Sequence, residues 1–232
     1  MRFSEIVESE LVNPAITKRD WKPSGHSKNN VDSYGAYSFV EPSDDDEGHE
    51  VLVKNFEPMG TDLKMEFYKS MAHLMGANPY MPVVYNINQY MDGDYTSRNE
   101  FQMERLVPVE KMDSVRLYQA LSVVCDHLGD VEGIQHLRKL LSHYDEKPES
   151  NDSATHLKSV HDQITISIID ELIRNNQINS LPNSPLKEFL SDLADFIEEH
   201  EANIDLHDEN FLYRRTAHGA QLVIADPIDS AR

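Results

Sequence analysis

Asn203-Ile204-Asp205-Leu206-His207-Asp208-Glu209-Asn210-Phe211-Leu212 is the stretch on which the reading of this chain turns. An Asp at 205 is followed five residues later by Asn210. Beyond it, 211–213 and 221–225 read as two short strands, split by a turn around His218-Gly219. The second strand runs through Val223-Ile224-Ala225 into Asp226. A loop Asp, an Asn at the fifth following position and a second Asp closing a hairpin make a specific arrangement. Taken singly, Asp and Asn favour loops because their side chains bond to nearby backbone. On that reading Asp205 and Asn210 do no more than cap turns.

Upstream of this stretch the chain reads as mostly helical. A helix is expected over 184–200, with Pro185 just inside its cap, and a long apolar-faced one over 156–175. A loop is expected over 145–152. The segment 131–144 carries Ile134, Leu137, Leu140 and Leu141 at helical spacing, and 113–128 carries Val115, Tyr118, Leu121, Val124 and Leu128 on one side.

The first half reads differently. Strands are expected in 33–40 and 50–56, joined by the solvated acidic loop 41–48. Its spacing fits no calcium-binding loop of the EF-hand kind. A helix over 61–75 starts at Thr61, shows Leu63, Phe67, Met71 and Leu74 at helical spacing, and stops at Asn78-Pro79. Strands over 82–90 and 100–107 follow, with Gly93-Asp94 as the turn. Residues 1–30 read as an N-terminal extension with a helical candidate at 3–11, and Trp21 is expected to fold back onto the strands. The order predicts an α+β protein with two lobes: β-rich over 31–106 and a reduced, mainly helical one over 107–232.

With 232 residues, the chain is long enough to bury roughly 70–75% of its unfolded surface. Lys and Arg number 21 against 41 Asp and Glu, a net charge of −20. Such a surface repels nucleic-acid phosphates and anionic lipid, so neither nucleic acid nor a membrane is an expected partner. One cysteine, Cys125, excludes an intrachain disulfide and a multi-cysteine zinc site, and its apolar helix face predicts a small core residue. No apolar run reaches the length of a membrane span, and the first ten residues lack a leader's apolar core, so a cytoplasmic protein is expected. His200, His207 and His218 fit no short metal-ligand spacing and are expected to face solvent or form hydrogen bonds.

Further parts stand upstream in a definite order. Gly35 lies in Ser33-Tyr34-Gly35-Ala36-Tyr37-Ser38, Lys54 ends Val51-Leu52-Val53-Lys54, and Glu66 sits mid-helix. Asn78-Pro79-Tyr80-Met81-Pro82-Val83-Val84-Tyr85 leads from helix to strand, and Phe101-Gln102-Met103-Glu104-Arg105-Leu106 leads out of the sheet. By this order of motifs, residues 31–229 resemble the protein-kinase-like fold. Within it the chain looks most like the compact serine/threonine kinases that bacteriophages make early in infection. The shared stretches are Gly35 to Ser38, Pro82 to Tyr85, Asp205 to Asn210, and Ile224 to Pro227.

The resemblance implies an ATP- and Mg2+-dependent transfer to serine or threonine hydroxyls of host proteins, in the host cytoplasm. Asp205 would accept the hydroxyl proton, and Asn210 and Asp226 would bind Mg2+. Lys54 would contact the α- and β-phosphates and be held by Glu66, under a glycine-poor loop at Gly35. The Glu104 carbonyl and Leu106 amide would hold adenine, with Met103 behind it. The chemistry suits these side chains. Mg2+ keeps several waters and needs only one or two protein oxygens, and in a loose transition state an ordinary carboxylate suffices to take the proton.

The chain departs from the family in places. Asn203 stands where many kinases have His, and His207 where protein kinases usually have Lys, as in aminoglycoside- and choline-kinase relatives. Pro227-Ile228 follows the closing Asp, and six residues remain after it, too few for an activation segment. Two alternatives therefore stand beside the protein kinase: an inactive kinase-fold acidic protein that binds and inhibits a host protein, and a small-molecule kinase.

Overall fold

The computed structural model describes residues 33–34, 38–44, 50–56, 61–91, 97–146, 151–216 and 219–229. The expected extension 1–30 with Trp21, Gly35, half of the acidic loop, the turn at Gly93-Asp94 and His218 lie outside these. The fold is mixed α+β, as expected, and its residues divide into two units. One holds a sheet and a helix; the other runs through Gly76–Met81 and Leu106–Ile228.

The sheet unit is built from β1 (Ser33–Tyr34), β2 (Ser38–Asp44), β3 (Glu50–Phe56), α1 (Thr61–Ser70), β4 (Val84–Met91) and β5 (Ser97–Glu104). Its order is β1-β2-β3-β5-β4, with every neighbouring pair antiparallel. Glu41 to Asp44 were expected in the loop; they continue β2 instead, opposite Val53 to Glu50. Pro42 is accommodated because β1 pairs only with Phe39 and Val40, so beyond them β2 has one edge without a described strand, where no amide is required. The α1 helix tightens into a 3₁₀ turn over Met71–Leu74. Phe67, Tyr68, Met71 and Leu74 are buried, and Tyr68 packs on Phe101 of β5 at 4.9 Å between ring centres.

The helical unit contains α2 (Ser114–Leu128), α3 (Ile134–Glu146), α4 (Asn151–Asp162), α5 (Asp170–Arg174) and α6 (Pro185–His200). Asp113 caps α2 by accepting from the Arg116 amide at 3.0 Å. Ser184 caps α6 in the same way through Lys187, with Pro185 in the first turn where its missing amide costs nothing. The helix expected over 156–175 starts earlier, at Asn151. It passes through a π-helical stretch, Gln163–Ile169, into α5. The loop expected over 145–152 is correspondingly shorter at both ends.

On α2 the buried stripe is Leu117, Ala120, Leu121, Val124, Cys125 and Leu128. Cys125 is a core residue, as expected. Val115, expected on the same face as Leu121, is 54% exposed. Periodicity located a stripe, but the packed face is centred about one residue position further round the helix.

A short segment between α1 and β4 belongs to the helical unit. Asn78 Nδ2 donates to the Pro185 carbonyl (2.8 Å) and to Glu188 Oε2 (2.9 Å). Tyr80 and His127 share a 2.7 Å bond between hydroxyl and Nδ1. The Arg214 guanidinium donates to the carbonyls of Pro79 (3.2 Å) and Met81 (2.9 Å).

These burial differences predict unequal costs along one helix. Leu121→Ala empties a fully enclosed site and should destabilise the protein by about 2–5 kcal/mol in denaturant titration. Val115→Ala on the exposed side should stay within about 0.5 kcal/mol of the unaltered chain.

Candidate functional site

The strands expected after Asn210 form a regular hairpin. β7 (Phe211–Thr216) pairs with β8 (Gly219–Ile224) in antiparallel register, Phe211 opposite Ile224 and Thr216 opposite Gly219. Gly219 has φ +145°, and a Cβ there would lie 2.6 Å from Gln119 Oε1, so the turn calls for glycine. Val107 adds to the hairpin as a partial third strand by exchanging two hydrogen bonds with Tyr213, at 2.9 and 2.8 Å. Leu106 is buried beside Val223 and Ala225, with Leu212 packed against them.

The loop before the hairpin is tied to the chain after it. β6 (Asn203–Ile204) pairs with β9 (Ile228–Asp229), and the Asp205 amide donates to the Pro227 carbonyl at 2.9 Å. The Ala225 amide donates to the Asn210 carbonyl at 2.8 Å. Asp226 thus lies between two residues that are each bonded to the Asp205–Asn210 loop. Inside the loop, Asn210 Nδ2 donates to the Asp205 carbonyl at 2.7 Å, and the Asn210 amide donates to the His207 carbonyl at 3.0 Å. The first bond engages the amide nitrogen, and an amide oxygen is an acceptor.

Burial separates the roles these side chains can take. Asn210 and Asp226 are 7% and 6% exposed, whereas the Asp205 side chain is 36% exposed. His207 is half-exposed between two carboxylates, with Nε2 3.5 Å from Asp205 Oδ1 and Nδ1 4.0 Å from Asp208 Oδ1. His200 instead stacks on Phe196 at 4.2 Å between ring centres. Among the described residues, no group of three or more His, Cys, Asp and Glu is placed to hold a metal ion. The donor set at Asn210 and Asp226 is of another kind: one amide oxygen and one carboxylate on adjoining strand ends. Two hard oxygen ligands fit Mg2+, which keeps the rest of its shell as water.

The residues expected around a nucleotide fall in both units. Lys54 stands on β3 between Val40 and Phe101, as a backbone position; its side chain lies outside the described residues. Glu66 is on the exposed side of α1. Met103 is buried opposite Leu52 and Val84. Glu104, expected to matter through its carbonyl, has a further structural task. Its amide donates to the Val83 carbonyl at 3.0 Å, and its Oε1 accepts from the Val83 amide at 2.8 Å, clamping the entry to β4. The structure therefore brings Asp205, Asn210 and Asp226 together, with Leu106 packed beside Ala225.

One buried polar group was not foreseen. His161 on α4 and Tyr213 on β7 are fully enclosed and share a 2.6 Å bond between Nδ1 and the hydroxyl. Burial holds His161 down to about 4 and pushes the Tyr213 hydroxyl well above its ordinary value. Nearby, Lys158 and Glu110 pair at 2.7 Å, and burial raises the Asp162 carboxyl. A signal was present in the sequence: His161 occupies an apolar position of the stripe Leu157, Val160, Ile164.

The His161 shift has a definite sign. The unfolded chain takes up a proton near pH 6.5 that the folded one takes only near pH 4. Stability contributed by the neutral ring is complete above the unfolded value and is lost as the pH falls from there through about 4. Melting temperatures measured across this window should therefore drop towards acid, and His161→Phe should flatten the slope.

Compared with known proteins, the chain matches no protein-family model and no curated protein.

Proposed function

We propose that the chain is an ATP- and Mg2+-dependent phosphotransferase of protein-kinase-like fold, a bacteriophage serine/threonine protein kinase acting on host proteins. The observation that carries this reading is the joining of two loops: Ala225 and Pro227, on either side of Asp226, bond to Asn210 and Asp205. The backbone carrying Asp205, Asn210 and Asp226 is thereby held together, which supports a shared task for the three. Taken by itself, the other unit is a five-stranded antiparallel sheet with a helix between β3 and β4 and Lys54 along β3, which also supports the reading.

In this mechanism Asp205 orients a serine or threonine hydroxyl and receives its proton as the oxygen bonds to the γ-phosphorus. The bond from that phosphorus to the bridging oxygen of ADP breaks in the same displacement. The half-exposed Asp205 can meet a hydroxyl carried on a protein, while the buried Asn210 and Asp226 serve as ligands. Mg2+, when bound by them, neutralises charge on the phosphate oxygens. Lys54 contacts the α- and β-phosphates, with Glu66 holding it. The Glu104 carbonyl and Leu106 amide bind adenine in front of Met103.

Purified protein mixed with γ-labelled ATP, Mg2+ and bacterial lysate should label host proteins. Asp205→Ala and Asp226→Ala should each lower incorporation by at least about 100-fold, in line with losing a positioned base or a metal ligand, with circular dichroism unchanged. Undiminished labelling by either variant overturns the assignment. Label confined to small metabolites would instead identify a small-molecule kinase.

A further inference from the structure

Resting on the reading of Asn210 as a Mg2+ ligand, we propose that His161, acting through Tyr213, is a positioning residue for that ligand. Phe211 follows Asn210 directly, and Tyr213 stands two positions further on the same inward face of β7. Both rings are fully buried. The imidazole of His161 touches both: it bonds the Tyr213 hydroxyl at 2.6 Å and sets its ring at 84° to Phe211, 6.4 Å between centres. Tyr213 also fixes Val107 through two backbone bonds. The strand that follows Asn210 is thus held on its inner face by one helix-borne side chain and at its edge by one segment of chain.

An apolar side chain would fill the His161 position without the desolvation penalty of an imidazole. Its Nε2 has no hydrogen-bond partner among the described residues, which adds to that cost. What imidazole supplies in return is a directional bond, which apolar packing lacks. Loss of that bond lets the start of β7 shift, and with it the Asn210 carbonyl that meets Ala225 next to Asp226. Mg2+ demands near-ideal octahedral geometry, so a small displacement between Asn210 and Asp226 is felt as weaker metal binding.

Tyr213→Phe removes the hydroxyl and keeps the ring. In a calorimetric titration of Mg2+ into the purified ATP-bound protein, run beside a Mg2+ titration of label transfer from γ-labelled ATP to lysate proteins, half-saturating Mg2+ should rise by up to about tenfold in both, the lower end of what orienting partners of a metal ligand contribute. The rate should recover at saturating Mg2+. Ile134→Val, a core truncation on α3, serves as the comparison for general loosening and should leave half-saturation unchanged. Should Tyr213→Phe not fold, His161→Phe enters the same titration, with melting confirmed above the assay temperature. An unshifted half-saturation in the folded variant, or an equal shift in Ile134→Val, overturns the positioning role while the kinase reading stands. Absence of Mg2+-dependent transfer by the unaltered chain overturns both.

Discussion

Two backbone hydrogen bonds, Asp205 to Pro227 and Ala225 to Asn210, are the constraint on which the candidate site depends. Each donor lies in irregular chain, where a buried polar group left without a partner would cost about 1–3 kcal/mol. Satisfying them forces the ends of the β7–β8 hairpin against the loop that precedes it. The side chains of Asp205, Asn210 and Asp226 are placed as a by-product of backbone pairing. That is a firmer basis than side-chain packing alone, because the backbone groups have few other places to bond.

The same hairpin organises the chain around it. Val107 extends it by one partial strand, and Leu106 closes over Val223 and Ala225. Arg214, on the outgoing strand, reaches the carbonyls of Pro79 and Met81. The Glu104 side chain performs a comparable task in the sheet unit, where it holds Val83 at the start of β4. These are polar contacts between segments remote in sequence.

Much of the secondary structure was legible because its causes are local. Ser184 followed by Pro185 announces the start of α6, and alternation after Asn210 announces the hairpin. The Asp205–Asn210–Asp226 spacing was legible as a motif, and their proximity is what the fold adds. Other features were hidden because their causes are not local. Pro42 enters a strand because of how little of β2 the strand β1 pairs. Val115 and Leu121 were grouped on one side of the helix, yet six residues place them about 120° apart, and only Leu121 reaches the packed face. His161 and Tyr213 are 52 positions apart, and nothing in either neighbourhood names the other. The π-helical turn after Asp162 leaves no compositional trace at all.

The stitching of Gly76–Met81 into the helical unit has a consequence for biogenesis. Arg214 and Pro79 are separated by 135 positions, so the segment leaves the ribosome long before its guanidinium clamp exists. During that interval the Asn78 amide and the carbonyls of Pro79 and Met81 must be served by water. The helical unit therefore cannot complete itself from its own contiguous stretch of sequence. Its last contacts close a large loop, a kind of topology that slows folding and lengthens exposure of partly formed surfaces. A fragment cut at Leu106 would lack the strand of chain that its own helices and hairpin are shaped to hold, however well the remaining residues were chosen.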